Sequence, residues 1–315
     1  MRIVCTLFFS FLLGNIFAQQ MPVYSQYFIN GFSVNPALAG SDGTIKMQLS
    51  ARDYLIGMRE SPNTVTASAN GRLLRQKTAV RNGKVSSQSG KVGMGGLVYS
   101  DNNGLVNRIG LQYTYAYHID FFNSQFSMGL SAALSQTRID AHKLDFNDPE
   151  PLLKEGFGNL AYVPDAVLGL FYKKQEYYVG FTASNLFQRS IRFGEFDYNY
   201  IIYRHYFLHG GTSFDVGTEF YAAPAFLFKA TSNGLYQGEI SARFSYRDDF
   251  WLAGTWRTPQ IAGLMVGMRT NNLLINYTYE YNFSTTRSFG FGAHELGLIY
   301  KTGDTARRYR WLIRY

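Results

Sequence analysis

The chain has 315 residues, a formal net charge of +8 and one cysteine, Cys5, which lies inside its first apolar run. Past that run, disulfides, cysteine-ligated metals and cysteine nucleophiles are therefore excluded. Its 24 Tyr, 26 Phe and 31 Gly stand against 8 Pro, the mixture produced when half of each strand faces lipid, half faces water and aromatic girdles mark the interfaces.

Residues 1–18 read as a secretory signal peptide. Arg2 supplies the positive region, Ile3 to Phe17 the apolar run, and Ala18 before Gln19 the cleavage point. The run is shorter than the roughly 20 residues of a helical span, and no later segment is apolar for about 18 residues. An exported chain with basic charge points to arginines lining a pore or facing lipid headgroups, and no nucleic-acid partner is expected. Residues 19–43 lack strand periodicity. Asn35-Pro36, Gly40 and Gly43 mark turns there, so a periplasmic, plug-like lead-in without strands is predicted, packed in or under a barrel.

Period-two alternation dominates residues 44–301. Ile275, Tyr277, Tyr279, Tyr281 and Phe283 alternate with Asn276, Thr278, Glu280 and Asn282. Ile240, Ala242, Phe244 and Tyr246 alternate with Ser241, Arg243, Ser245 and Arg247, and the runs 111–118 and 125–135 repeat the pattern. Successive strand side chains point to opposite faces, so each segment has one oily and one polar or small face. A soluble sandwich alternates too, but strands of about 10 residues, rather than about 5–6, favour a membrane barrel.

Candidate strands lie near residues 44–56, 63–75, 91–100, 104–118, 124–137, 163–174, 176–187, 204–216, 219–230, 235–247, 250–258, 262–270, 272–283 and 292–301. The fold class predicted is an all-β, transmembrane antiparallel β-barrel of about 14 strands, an even number as single-chain bacterial barrels have. With a periplasmic lead-in, the long connections 138–162 and 188–203 fall outward. The short ones at 173–176, 216–219, 247–249 and 270–272 fall on the periplasmic side. Residues 76–90, rich in Ser, Gly and Lys, are expected to be a mobile periplasmic connection, and residues 302–315 a basic C-terminal tail.

Few patterns carry chemistry. His205 and His209 share a face but stand about 13 Å apart along a strand, which suits structural roles better than one metal ion. The acidic loop from Asp140 to Glu155 lacks the Gly and Glu of an EF-hand. Ser100, Asp101 and His294 offer no recognisable hydrolase signature, and no G-x-S-x-G, P-loop or H-E-x-x-H occurs. No enzyme, cofactor or metal is predicted. Arg52, Arg72, Arg243, Arg247 and Arg269, with Glu280, are assigned to the lumen. They either form a charged constriction, as in a general or substrate-selective outer-membrane porin, or pair across the interior and fill it.

Five islands carry a resemblance. "SQYFINGFSVNPALAGS" (Ser25 to Ser41) contains Tyr27, Asn35, Pro36 and Gly40. "PDAVLGLFYKKQEYYVGFTASNLF" (Pro164 to Phe187) contains Asp165, Gly169 and Asn185. "RHYFLHGGTSFDV" (Arg204 to Val216) opens with His205, "PAFLFK" spans Pro224 to Lys229, and "AHELGLIY" (Ala293 to Tyr300) contains His294 and Glu295. In order and content these islands resemble the PorP/SprF family of the type IX secretion system of Bacteroidota. Ala293 stands where the family has Ser, and the basic tail is longer than expected. The resemblance implies a non-enzymatic outer-membrane barrel, held among outer-membrane lipids. It implies a role in secretion or surface attachment of large adhesins, through their C-terminal domains, or in gliding motility, or contact with the periplasmic lipoprotein ring. Asn35, Pro36 and Gly40 are expected to set the shape of the lead-in, and the outward loops to meet partners.

Overall fold

The computed structural model describes residues 29–54, 61–73, 78–81, 84–87, 91–104, 106–121, 123–139, 160–192, 199–247, 249–283 and 292–303. The signal peptide, Tyr27, the acidic loop and the tail beyond Gly303 lie outside the described residues.

Among the described residues, fourteen strands alternate in direction and close on themselves. In chain order they are β1 (Ile45–Asp53), β2 (Asn63–Leu73), β3 (Val92–Asn103), β4 (Val106–Asp120), β5 (Ser124–Ile139), β6 (Leu160–Lys174) and β7 (Tyr177–Ser184). There follow β8 (His205–Thr212), β9 (Phe220–Thr231), β10 (Tyr236–Tyr246), β11 (Phe250–Arg257), β12 (Ile261–Thr270), β13 (Leu273–Asn282) and β14 (Ala293–Thr302). Each pairs antiparallel with its neighbours, and β1 closes the ring against β14 in a register running from Ile45 opposite Thr302 to Asp53 opposite His294. Closure leaves no unpaired sheet edge, the condition for strands to cross lipid.

The predicted alternation sets the two faces. Leu130 (54% exposed) and Ile240 (64%) look outward, whereas Ser131 (1%) and Ser241 (8%) beside them are buried. Outward aromatics gather at both ends. Phe121, Tyr177, Phe214, Phe220 and Phe250 ring the end with short turns; Tyr162, Tyr236, Trp256 and Phe283 ring the other. These are the interfacial girdles of a membrane barrel.

Three boundaries differ from the sequence expectation, each for a local reason. β7 stops at Ser184 because Asn185 adopts φ 55° and turns the chain. β8 is interrupted at Ser213 and resumes as Phe214–Val216; the gap faces Pro224 on β9, which has no N–H to donate to the ladder. Residues 76–90 contain a two-stranded hairpin, Thr78–Arg81 with Lys84–Ser87, instead of an unstructured connection. A second small hairpin, Ser190–Arg192 with Asn199–Ile201, lies between β7 and β8.

The interior is not uniformly polar. Trp251, Ala253, Met265, Leu274 and Ile299 form an apolar cluster on the inner wall of β11 to β14, against which Ile29 packs. Phe32 and Ala39 join Leu97 and Ala116 in a second cluster. Both clusters are completed by residues that precede β1.

Candidate functional site

Residues 30–42 cross the inner wall as two single 3-10 turns, Gly31–Ser33 and Pro36–Leu38. The second turn is built by Asn35-Pro36. Asn35 Oδ1 accepts from Ala37 N at 2.9 Å, and Pro36 occupies the first helical position, where its missing N–H is not needed. Asn35 Nδ2 then donates to Leu170 O on β6 (3.0 Å) and to His209 Nε2 on β8 (3.1 Å). Because the amide is the donor, the histidine's Nε2 is the acceptor and its proton sits on Nδ1.

The next residues are fastened farther along the same wall, to β4 and β2. His118 Nε2 donates to Ala39 O at 2.9 Å, while its Nδ1 accepts from Ser127 Oγ at 2.7 Å. Gly40 N donates to Asn70 Oδ1 (3.1 Å), and Arg72 donates from Nε to Gly40 O (3.0 Å) and from Nη2 to Ser41 O (3.3 Å). Gly40 has φ 67°, and a Cβ there would stand 2.6 Å from Arg72 N, so glycine is required twice over. Gly169 on β6 is bare because Asn35 and Pro36 lie directly on it.

A separate constellation holds the turn after β7. Asp165 Oδ1 accepts from Phe187 N (3.1 Å) and Ala166 N (2.8 Å). Asn185 Nδ2 donates to Tyr203 O (3.1 Å) and His205 Nδ1 (3.2 Å). These residues bind the chain's own loop ends and leave little donor capacity for a ligand.

At the end bearing the longer loops, charged side chains meet inside the wall. Arg52 donates to Glu280 (2.5 Å) and Glu295 (3.2 Å), and Arg257 to Glu239 (2.6 Å) and Glu280 (3.0 Å). Ser50 donates to Glu295 as well, at 3.0 Å. The five charged residues are only 3–6% exposed. Glu280 on β13 reaches Arg257 on β11 over the intervening β12, where Gly263 stands opposite it and presents no side chain. Two guanidinium groups thus bind three carboxylates in one line across β10 to β14 and β1.

Of the charges assigned to the lumen from sequence, Arg52 and Glu280 meet here. Arg72 is at the other end, holding the lead-in, with Asp120 3.9 Å away. Arg243 and Arg269 point inward near that same end. Arg247 does not join them: it is on the β10–β11 turn at φ 50°, exposed, and paired with Glu219. A strand end releases a side chain from the pleat, so alternation did not hold one residue past β10. His294 and Glu295 separate, as adjacent strand residues must: Glu295 enters the network, while His294 faces outward with Nδ1 2.5 Å from Tyr277 OH. Among the described residues, no group of three His, Cys, Asp or Glu is placed to hold a metal ion.

A family model of the type IX secretion system membrane protein PorP/SprF matches residues 16–300. The chain belongs to the PorP/SprF family. No curated protein matches it. Among solved structures, it is similar to the toluene transporter TbuX of Ralstonia pickettii, with 10% identity over 86% of this chain and 92% of that one and a TM-score of 0.47. The toluene transporter TodX of Pseudomonas putida gives 9% identity, 88% and 92% coverage, and 0.45. A mutant porin of Rh. blastica gives 7%, 82% and 99%, and 0.36.

In this PorP/SprF chain the islands quoted from the sequence thus sort by place. Asn35, Pro36, Gly40 and Gly169 belong to the lead-in and its seat; Asp165, Asn185 and His205 hold one loop. Sequence reasoning missed Glu239, Arg257, His118 and Asn70. Glu239 shares the phase of Ser241 and Arg243 and was legible. Arg257 was not, because Trp251 and Ala253 make the inward face of β11 as oily as its outward face.

Proposed function

We propose that this PorP/SprF protein is an outer-membrane component of type IX secretion that acts as a scaffold, without an active site. In this reading it assists secretion or surface attachment of large adhesins through their C-terminal domains, or docks the periplasmic lipoprotein ring. Residues 1–18 are a cleaved signal, 19–43 a plug entering from the periplasm, 44–301 the barrel and 302–315 a basic tail. The short-turn end then faces the periplasm and the long loops face outward.

The observation that carries this reading is the way residues 30–42 are fastened along the inner wall from β2 to β8, by Asn35 to β6 and β8 and by Arg72 and His118 to β2 and β4. A barrel that spends its inner polar groups on its own chain is better suited to presenting surfaces than to passing solutes. The test is deletion of the gene, followed by assays of surface adhesins, gliding and small-solute uptake. Loss of adhesins with uptake unchanged is expected; intact secretion with reduced uptake would establish the porin reading instead.

A further inference from the structure

The short-turn end of the barrel is basic inside. Lys46 and Lys301 stand opposite each other on β1 and β14, Lys173 is buried on β6 (3% exposed), and Arg243 and Arg269 point inward from β10 and β12. The carboxylate set among them is Asp42, paired with Lys46. Burial pushes the Asp42 carboxyl up, but Lys46, then Lys301 and Lys173, hold it below the usual carboxylate range. Among the described residues, the other acids at this end are placed elsewhere. Asp120 lies beside Arg72, Glu219 is taken by Arg247, Glu176 and Asp249 are exposed on the turns, and Asp215 is exposed on the strand segment Phe214–Val216.

A cavity of about 100 Å³ opens at this point, bounded by Asp42, Lys46, Lys173 and Arg243 on its polar side and by Phe32 and Leu38 of the lead-in on its apolar side. Of the groups lining this cavity, Arg243 Nε is buried, has no hydrogen-bond partner among the described residues, and can only donate. Among the described residues lining the cavity, cations in excess of carboxylate and a donor lacking an acceptor make a site that is stabilised by negative charge and oxygen lone pairs.

We propose that this cavity binds one oxyanion, a phosphate or carboxylate group, that enters from the short-turn end. The space of about 100 Å³ admits a single tetrahedral or planar oxyanion. The anion would bridge Arg243 on β10 to Lys46 on β1 and Lys173 on β6, beneath the lead-in. Binding here requires nothing of the secretion reading.

The test uses the full chain in detergent, titrated with inorganic phosphate and, separately, with acetate, followed by calorimetry and by 31P line broadening. Saturable binding of one anion is expected, weakening with added chloride. Arg243→Gln should weaken it by about tenfold, since one charge-assisted bidentate contact is lost. Arg243→Lys should recover part of it, and Arg247→Gln, at the exposed pair, should leave it unchanged. Should Arg243→Gln lose the heat-modifiable mobility of a folded barrel, Lys173→Gln, which lines the same cavity, provides the same reading. Tighter phosphate than acetate points to a phosphate ligand, and parity to a carboxylate; either supports the site. Absence of saturable binding of both anions to the unsubstituted chain, or affinity unchanged in folded Arg243→Gln or Lys173→Gln, overturns it.

Discussion

Asn35 and His209 lie 174 positions apart and meet inside the barrel, Nδ2 to Nε2, at 3.1 Å. The imidazole is stacked on Phe171, with ring centroids 6.0 Å apart, so its acceptor nitrogen is presented in one direction. Asn35 reads three partners at once: the turn it begins, the β6 carbonyl of Leu170, and this ring. Replacing it removes a cap and leaves a buried acceptor unmet. Asn35→Ala should loosen the lead-in by about 2 kcal/mol. Hydrogen exchange at residues 30–41 should quicken, with barrel-strand amides unchanged; equal effects on the strands would show that Asn35 supports the wall rather than the segment.

Glu280 is shared by Arg52 and Arg257 and is 4% exposed. Removing one partner from a buried ionic network leaves its neighbours uncompensated, at about 3–5 kcal/mol. Glu280→Gln should therefore destabilise the barrel by about 3 kcal/mol in denaturant titrations in lipid vesicles. Arg257→Met alone should cost a similar amount. The double variant should cost less than the two added together, because each single change already breaks the same contact. Simple additivity would mean that the two groups do not interact.

Leu130 and Ser131 are adjacent on β5, one 54% exposed and the other 1%. With the outward face in lipid, Leu130→Arg should lower barrel stability by about 2–4 kcal/mol if it sits near the bilayer midplane. Replacing Leu130 with Phe should have little effect, since both side chains suit lipid. An arginine tolerated at 130 without loss would place that face in water.

Asp42 is outside the strands, and its carboxyl is held below the ordinary 3.8 by Lys46, Lys301 and Lys173 against the opposing effect of burial. A depressed folded-state value contributes stability that is present above the unfolded value and lost as pH falls through the folded one. The lead-in should thus keep its seat at neutral pH and loosen only below about pH 4. Pepsin cleavage within residues 29–43 should rise in that range. Asp42→Asn should remove the acid-dependent step; a step that persists belongs to another group.

The strand series was readable because alternation is local: each of the fourteen predicted segments holds a strand, from Ile45–Asp53 to Ala293–Thr302. The turns at Asn35-Pro36 and Gly40 were readable for the same reason, since cap, missing N–H and positive φ are properties of a few consecutive residues. Misreadings came where a strand is disturbed from outside itself. Ser213 breaks β8 because Pro224 sits on the neighbouring strand, and Arg247 leaves the inner face because β10 ends before it.

By itself the amino-acid sequence determined the oily and polar faces of the strands that alternate cleanly, the number of strands, and a lead-in that is not a strand, all consequences of side-chain period and local turn chemistry. Only the tertiary structure decided which polar groups meet. Arg52 and Glu280 are 228 positions apart, and nothing in the neighbourhood of either specifies the other. Their contact follows from closure, which sets β1 against β14 in one register and turns β13 toward the same interior. The same closure curves β2 to β8 around the lead-in, so that Asn35 finds His209 and Ala39 finds His118.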